Sequence, residues 1–360
     1  MSLDIEQIRR ALATVIDTDT GKPFSAGLKD RDVSVVDGKV SAHLQFGYPL
    51  GTDGPAMAGR AREALLAAGA RAADVTVGWK IIAHAVQPGL KPLPNVRNII
   101  AIASGKGGVG KSTTSANVAL ALAAQGARVG ILDADIYGPS QPTILGIEGR
   151  PESKDNKTME PLWGHGLQAN SIGFLVDAES PAIWRGPMVT RALEQLLTQT
   201  NWDDLDYLIV DMPPGTGDIA LTLAQKVPVA GAAIVTTPQD LALMDARKGL
   251  KMFEKVSVPV LGIVENMAVH VCSNCGHAEH IFGEGGGKRM AEQFNAPWLG
   301  ELPLAMSIRE QADCGKPTVV SHPEGPAAAA YLGIARRLAA QIDLLPKDTA
   351  SLFPPIVTTH

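Results

Sequence analysis

Residues 105–112 read Gly-Lys-Gly-Gly-Val-Gly-Lys-Ser, between the apolar run Ile99–Ala103 and a stretch with helical character. The spacing G-x-x-x-x-G-K-[S/T] predicts a phosphate-binding loop between a strand and a helix, because bare backbone N–H groups can wrap the phosphates. Lys111 would then meet the terminal phosphates, and Ser112 would offer its hydroxyl to Mg²⁺. We therefore predict a nucleotide site formed by Gly105, Lys106, Gly107, Gly108, Val109, Gly110, Lys111, Ser112 and Thr113.

The composition narrows the class of protein. With 360 residues, 45% of them hydrophobic and 19% charged, the chain is expected to form one large and one small globular domain. No apolar stretch approaches the roughly 20 residues of a membrane span, and the segment MSLDIEQIRR lacks the apolar core of a signal peptide, so we expect a cytoplasmic address. A net charge of −5 without runs of Lys and Arg argues against a nucleic-acid partner. The absence of a basic amphipathic helix at the Pro-rich C-terminal end argues against a membrane partner.

A small α/β domain is predicted for residues 1–86, and a Pro-rich linker for residues 87–95. The basis is a change from helical spacing of apolar residues to the alternating pattern of half-buried strands. The predicted elements are a helix at 4–16, strands at 33–36 and 40–46, a helix at 57–68 and an extended segment at 74–84.

Residues 96–345 alternate short, nearly all-apolar runs with helical stretches, and residues 346–360 form a tail. Apolar strands of this kind are typical of sheets covered on both faces, so the pattern predicts a doubly wound, mainly parallel α/β sheet. The predicted strands are 99–103, 128–132, 207–210, 232–235 and 260–264, and the predicted helices are 112–124, 187–199, 218–226, 241–255, 286–294 and 326–342.

Acidic residues follow two of the predicted strands. Asp133 and Asp135 come directly after one strand, and Asp211 ends another ahead of a loop rich in proline and glycine. Ligands in open α/β folds bind at the carboxyl ends of the strands, where carboxylates can hold Mg²⁺ and orient a water for attack on the γ-phosphate. Asn266 also follows a strand, and its amide could contact both donor and acceptor edges of adenine.

Cys272 and Cys275 form a Cys-x-x-Cys motif followed by glycine. Two thiolates three residues apart can bind one metal centre from one side, but iron–sulfur clusters need four ligands. A symmetric dimer would supply the missing pair. Two alternatives remain at this point, a structural zinc site that adds His277 and His280 within one chain, and a thioredoxin-type redox pair. Cys314 is far downstream and is interpreted as a loop or core thiol.

Taken together, the motifs resemble the Mrp/ApbC iron–sulfur cluster carrier ATPases. Lys106 in Lys-Gly-Gly-Val-Gly-Lys-Ser is similar to the additional lysine of the deviant Walker A ATPases, a group that includes the Min and Par positioning proteins. The other matching strings are Asp133-Ala-Asp-Ile-Tyr-Gly-Pro-Ser140, Trp184-Arg-Gly-Pro-Met188, Asp211-Met-Pro-Pro-Gly-Thr-Gly-Asp218, Glu265-Asn-Met267 and the cysteine pair. The resemblance covers roughly residues 96–340.

This resemblance implies a homodimer that holds a 4Fe-4S cluster at its interface, hydrolyses ATP with Mg²⁺ and passes the cluster to apoproteins. It implies that Lys106 reaches the nucleotide of the partner subunit and that Lys111 contacts its own nucleotide. It further implies that Asp135 positions the attacking water, that Asp133 and Ser112 support Mg²⁺, and that Asp211 is the Walker B acid. In the resembling families an asparagine at the position of Asn266 contacts the base.

The N-terminal part resembles the small iron–sulfur assembly domain that often precedes this ATPase, through Thr20-Gly-Lys22 and Leu44-Gln-Phe-Gly-Tyr-Pro49. Stand-alone members often carry a cysteine in the loop that here reads Gly51-Thr-Asp-Gly-Pro55, and this chain has none there. The rival functions are a Par/Min-like positioning ATPase, a reductase similar to nitrogenase iron protein, and a P-loop ATPase with structural zinc at the cysteine pair.

Overall fold

The computed structural model describes residues 3–175, 186–272 and 274–348. These residues fall into two compact units. One contains the chain up to Ile81 together with Ala339–Leu344, and the other contains Ile82–Leu338 together with the described residues from Leu345 onward.

The smaller unit is built on a three-stranded sheet with the order β1-β2-β3. β1 and β2 are antiparallel, whereas β2 and β3 are parallel. Helix α1 begins with a capping box in which Asp4 accepts from the Gln7 N–H, and its residues Ile8 and Leu12 are buried. The bounds are α1 Ile5–Ala13, β1 Val33–Val36, β2 Lys39–Phe46, α2 Gly54–Ala67 and β3 Ala72–Trp79. The predicted helices and strands are confirmed, but α1 ends three residues and β3 five residues before the predicted ends, and α2 begins three residues before its predicted start.

The larger unit contains an eight-stranded sheet with the order β13-β10-β9-β4-β8-β5-β7-β6. Its strands are β4 Val96–Ser104, β5 Val129–Asp133, β6 Leu162–Gly164, β7 Leu167–Ser171, β8 Leu205–Asp211, β9 Gly231–Thr236, β10 Val260–Glu265 and β13 Trp298–Glu301. Only the edge pair β6–β7 is antiparallel. A separate two-stranded hairpin consists of β11 His270–Val271 and β12 Ala278–Glu279. The predicted doubly wound, mainly parallel α/β fold is confirmed.

Helices cover the strands because the strands are apolar on both faces; every residue of β5, β8 and β9 is buried. The helices are α3 Lys111–Ala124, α4 Gln141–Leu145, α5 Gly186–Thr198, α6 Asp218–Lys226, α7 Asp240–Lys255, α8 Gly286–Gln293, α9 Met306–Asp313, α10 Thr318–Ser321 and α11 Pro326–Asp343. All five predicted strands and all six predicted helices of this region are confirmed within two residues at nearly every end. The sequence pattern did not predict β6, β7, β13, the hairpin or the helices α4, α9 and α10, which are two to eight residues long.

The segment 87–95, predicted as a linker, lies in the larger unit. The buried Gln87 amide donates to the carbonyls of Ala224 and Val227 at the end of α6, at 2.9 and 3.1 Å. Its start is therefore held by specific contacts. Among the described helices, none is long and apolar enough to span a bilayer.

Candidate functional site

The loop between β4 and α3 has the geometry of a phosphate cradle. Gly108 and Gly110 both have φ of 80°, a left-handed conformation that favours glycine. A Cβ on Gly110 would lie 2.2 Å from the Asn266 amide nitrogen, and one on Gly105 would lie 2.1 Å from the backbone of Asp245. A Cβ on Gly107 or Gly108 would meet nothing within 4 Å. Protein therefore packs closely at both ends of the loop and leaves its middle open, which fits a bound phosphate chain.

Lys111 and Asp211 form a buried ion pair at the start of α3. The lysine ammonium lies 2.6 Å from Oδ1 of Asp211 and 3.0 Å from the Ser112 hydroxyl. The same carboxylate accepts a hydrogen bond from the Ser115 hydroxyl at 2.8 Å, and its other oxygen accepts from the Gln141 amide at 2.9 Å. Asp211, the predicted Walker B acid, thus has a hydrogen-bond partner at each carboxylate oxygen where β8 ends.

Asp133 stands beside Asp211, because the two residues are register partners in the parallel pair β5–β8. Its Oδ2 accepts from the backbone N–H groups of Ser140 and Gln141, at 2.9 and 3.0 Å, and from the Ser171 hydroxyl at 3.1 Å. Burial, reinforced by the neighbouring Asp211 charge, raises the pKa of Asp133 to about 7. The Asp133 carboxyl group therefore holds a proton more readily than an exposed carboxyl group does.

Asp135 is half-buried, and its backbone N–H donates to Oδ1 of Asp133 at 3.1 Å. Burial raises the pKa of Asp135, and the Lys111 charge opposes that increase. The loop that follows returns to the site at Gln141, whose amide also donates to the Ser112 carbonyl at 3.0 Å. The strand tips and this loop thus place both carboxylates beside the phosphate-binding loop.

The oxygen atoms collected here fit Mg²⁺, which prefers carboxylates, hydroxyls and water. Ser140 Oγ and Gln141 Oε1 are buried and have no hydrogen-bond partner in the described structure. Sequence analysis missed Ser115 and Gln141. The only signal for Gln141 was its place directly after the Asp133–Ser140 string, and Ser115 carried none beyond being one helical turn after Lys111.

Lys106 is half-buried in the loop, and its carbonyl accepts from the Ser104 hydroxyl at 2.9 Å. Within the described ranges, no carboxylate lies at ion-pair distance from its ammonium group, in contrast to that of Lys111. The loop after β8 is tied to the same region, because the Gly215 N–H donates to the Ser104 carbonyl at 2.9 Å. The two glycine-rich loops are thus joined through Ser104.

A cavity of about 490 Å³ opens beside the phosphate-binding loop. It is lined by residues that include Gly110, Thr113, Asn266, Met267, Pro303 and Leu304. The Asn266 amide nitrogen donates to the Val109 carbonyl at 2.8 Å, so the side chain also fixes the loop. The Pro303 and Leu304 wall follows β13 and was not identified from the sequence.

The cysteine pair lies in the turn of the β11–β12 hairpin. The Cys272 N–H donates to the His277 carbonyl, and the Gly276 N–H donates to the Cys272 carbonyl, both at 2.9 Å. Both thiols are free; Cys272 is half-buried and Cys275 is exposed. Hydrogen bonds from the backbone N–H groups of Cys275 and Asn274 lower the pKa of the Cys272 thiol. A tight, accessible turn of this kind can bind a metal centre from one side.

The structure does not assemble the single-chain zinc site that was considered for this turn. His280 instead hydrogen-bonds through Nδ1 to the Ala268 carbonyl at 2.7 Å. Across residues 3–175, 186–272 and 274–348, no three His, Cys, Asp or Glu side chains are grouped to hold a metal ion. The pair opens no helix, unlike a thioredoxin-type motif. Cys314 is exposed where α9 ends.

Part of the motif evidence lies outside the described residues. In the string Trp184–Met188, the structure describes only the helical backbone from Gly186 onward and the side chain of Met188. Ser273, between the two cysteines, is also not described.

Two family profiles match the chain. One, for the NUBPL iron-transfer P-loop NTPases of the ParA group, matches residues 95–339. The other, for iron-sulfur cluster assembly proteins, matches residues 5–79. The two matches correspond to the ATPase-like and N-terminal regions recognised in the sequence.

Curated relatives agree with these matches. An iron-sulfur cluster carrier protein from Pseudomonas fragi is 63% identical over 269 residues, which cover 74% of this chain and 94% of the relative. The protein of the same name from Escherichia coli strain K12 is 58% identical over 289 residues, covering 78% and 76%. The iron-sulfur cluster transfer protein NUBPL of Mus musculus is 51% identical over 262 residues, covering 72% and 82%.

Solved structures show the same fold. A nucleotide-binding protein from Archaeoglobus fulgidus, solved in complex with ADP, has a TM-score of 0.56 and 38% identity, with 64% of this chain and 90% of that chain covered. The cell division ATPase MinD of Pyrococcus furiosus has a TM-score of 0.52 at 24% identity, with 67% and 98% covered, and shows likeness of fold alone.

Proposed function

The chain belongs to the family of NUBPL iron-transfer P-loop NTPases, and on this premise we propose that it hydrolyses ATP and carries a 4Fe-4S cluster to apoproteins. One observation carries the proposal. A phosphate-binding loop with its acidic residues and an accessible cysteine pair occur in the same compact unit, and Asn266, which donates to the Val109 carbonyl of the loop, precedes Cys272 by six residues. The names of the relatives, iron-sulfur cluster carrier and transfer proteins, support the identity of the cargo.

In the proposed reaction, backbone N–H groups of the loop hold the phosphates, and Lys111 stabilises charge on the γ-phosphate. Asp135 orients the attacking water. Its half-buried position beside Asp133 supports this role. Ser112 and Asp133 would hold Mg²⁺, which neutralises charge on the β- and γ-phosphate oxygens when bound. Asp211 fixes Lys111 and, through Gln141, the end of the loop that follows β5.

The adenine base would occupy the cavity beside Gly110. Its volume of about 490 Å³ and its walls of Met267, Pro303 and Leu304 suit a flat, mostly apolar ligand. Asn266 belongs to the same wall and supplies an amide for base contact.

The cluster is the cargo in this proposal. Each chain offers Cys272 and Cys275, so two chains related by a two-fold axis supply the four thiolates of a 4Fe-4S cluster. Lys106, which lacks a carboxylate partner among the described residues, would reach the nucleotide of the second chain. ATP binding and hydrolysis would change the approach of the two chains and so the strength with which the thiolates hold the cluster.

Anaerobic reconstitution with iron and sulfide tests the assignment of the cargo. We expect about two iron and two sulfide per wild-type chain, loss of this content in Cys272→Ser and Cys275→Ser, and its retention in Cys314→Ser. Sedimentation should show that the loaded species is a dimer. A monomeric wild-type chain that retains zinc and takes up no iron would contradict the proposal.

A further inference from the structure

The cysteine hairpin is joined to the wall of the nucleotide-side cavity by a short ladder of hydrogen bonds. The Ala268 N–H donates to the Leu302 carbonyl at 3.0 Å, and the Leu304 N–H donates to the Val269 carbonyl at 2.8 Å. Residues 268–269 and 302–304 therefore run side by side. All of them lie in the larger unit.

The last step of this ladder is made by a side chain. His270 Nδ1 lies 3.0 Å from the Leu304 carbonyl oxygen. Because a carbonyl oxygen only accepts, Nδ1 must carry the hydrogen in this contact. Cys272 follows two residues later. The imidazole therefore ties the cavity wall to the segment of chain that carries the thiol.

Both ends of the ladder contact the features that the proposed function uses. At one end, Asn266 holds the Val109 carbonyl of the phosphate-binding loop. Pro303 and Leu304, which lie opposite residues 268–270 in the ladder, line the same cavity as Asn266. At the other end, Cys272 begins the turn that contains both thiols. A displacement of residues 302–304 by a ligand in the cavity would therefore reach the hairpin through a contiguous set of bonds.

We propose that His270 is the positioning residue that couples occupancy of the nucleotide cavity to the cysteine pair, through its Nδ1 hydrogen bond to Leu304. This inference rests on the proposed function and goes beyond it by naming the route. The backbone bonds of the ladder form whatever the side chains are, whereas the final bond depends on a donor at the Nδ1 position. Removing that donor should uncouple the two sites without removing either of them.

His280 provides an internal control. Its Nδ1 also ties the hairpin to a neighbouring segment of the same chain, but the acceptor is the carbonyl of Ala268, which is not among the cavity-lining residues. Loss of this bond loosens the hairpin without releasing the wall of the cavity.

The test uses two substitutions at the same position in the full-length chain. The amide nitrogen of asparagine can take the place of Nδ1, whereas glutamine is longer and places its amide near the position of Nε2. We therefore compare His270→Asn, His270→Gln and His280→Ala with the wild type. The measurement is the dissociation constant of a non-hydrolysable ATP analogue with Mg²⁺, with and without the reconstituted cluster.

Because coupling is reciprocal, the ratio of these two constants reports the coupling in both directions. We expect a wild-type ratio that departs from one by about fivefold or more, a similar ratio in His270→Asn and His280→Ala, and a ratio within about twofold of one in His270→Gln. If the wild type shows the coupling and His270→Gln retains it, the route is overturned while the proposed function stays intact. The same conclusion follows if His280→Ala loses the coupling to the same extent as His270→Gln. A wild-type ratio of one would overturn both the route and nucleotide control of the cargo, and a wild type that binds no cluster would overturn the cargo assignment itself.

Discussion

The Lys111 ammonium lies 2.6 Å from the Asp211 carboxylate, and both side chains are buried although they are 100 residues apart in the chain. The lysine that the motif assigns to the terminal phosphates is thus also the counter-charge of Asp211, the proposed Walker B acid. A buried charge whose partner is removed is costly, whereas a matched pair is tolerated. Lys111 therefore serves both the nucleotide chemistry and, as the partner of Asp211, the stability of the fold.

Substitution of Lys111 should affect both properties. Lys111→Met leaves the Asp211 carboxylate buried without its counter-charge, so we expect a loss of about 3 kcal/mol or more in the free energy of unfolding, together with loss of ATP hydrolysis. Lys111→Met combined with Asp211→Asn removes both charges and should recover most of the stability but none of the hydrolysis. Urea unfolding and phosphate release measure the two effects. Equal stability of the single and double variants would contradict the role of the pair.

The proposed role of Lys106 across the dimer can be tested by mixing two inactive variants. Lys106→Ala and Asp135→Asn should each lose hydrolysis, and each should unfold within about 0.5 kcal/mol of the wild type because neither carries a buried ion pair. In a mixed dimer, the nucleotide site of the Lys106→Ala chain keeps its own Asp135 and receives Lys106 from its partner. With random pairing we expect about a quarter of the wild-type rate to return. If Lys106 acts within its own chain, mixing restores no activity.

Substitutions at two loop glycines should affect nucleotide binding and the stability of the fold separately. A Cβ at Gly107 meets nothing within 4 Å, so Gly107→Ala should leave stability nearly unchanged but weaken ATP binding by intruding on the phosphates. Gly110→Ala adds a Cβ 2.2 Å from the Asn266 amide at a φ of 80°, and should lower the free energy of unfolding by about 1–3 kcal/mol. Calorimetric titration with ATP and urea unfolding distinguish the two outcomes. Unchanged ATP affinity of Gly107→Ala would argue against the open face as the phosphate site.

Asp133 should make stability dependent on pH when Mg²⁺ and nucleotide are removed. Its pKa is about 7 in the folded protein, compared with an ordinary value of 3.8. Between these values the folded state holds a proton that the unfolded state has lost, so the free energy of unfolding should fall as pH rises from about 4 to 7, by at most about 1.4 kcal/mol per pH unit. Asp133→Asn lacks this contribution.

Urea unfolding of both proteins at pH 5 and pH 7 in EDTA measures the effect. The stability of the wild type relative to Asp133→Asn should be higher at pH 5 than at pH 7. A difference between the two proteins that stays constant over this range, or that increases with pH, would contradict the raised pKa.

Most of the strands and helices, and the cysteine motif, were predictable from the sequence because each depends on neighbours a few residues away. The phosphate-binding loop needs glycine where φ is positive, as at Gly110, and apolar runs reveal strands buried on both faces. β13 escaped prediction because it has only four residues, one of them Gly300 at a φ of 133°. Such a short segment carries too little pattern to identify a strand.

The sequence by itself determined the fold class, the nucleotide loop, the acidic residues at the strand ends and the Cys-x-x-Cys motif. Only the tertiary structure decided which side chains meet across the fold. Gln141 and Ser115 complete the environment of Asp211, Asn266 binds the phosphate loop, and His270 joins the cysteine hairpin to the cavity wall. The physical reason is that these contacts connect segments up to 157 residues apart. Their geometry is set by how strands and helices pack, and no local pattern of residues encodes it.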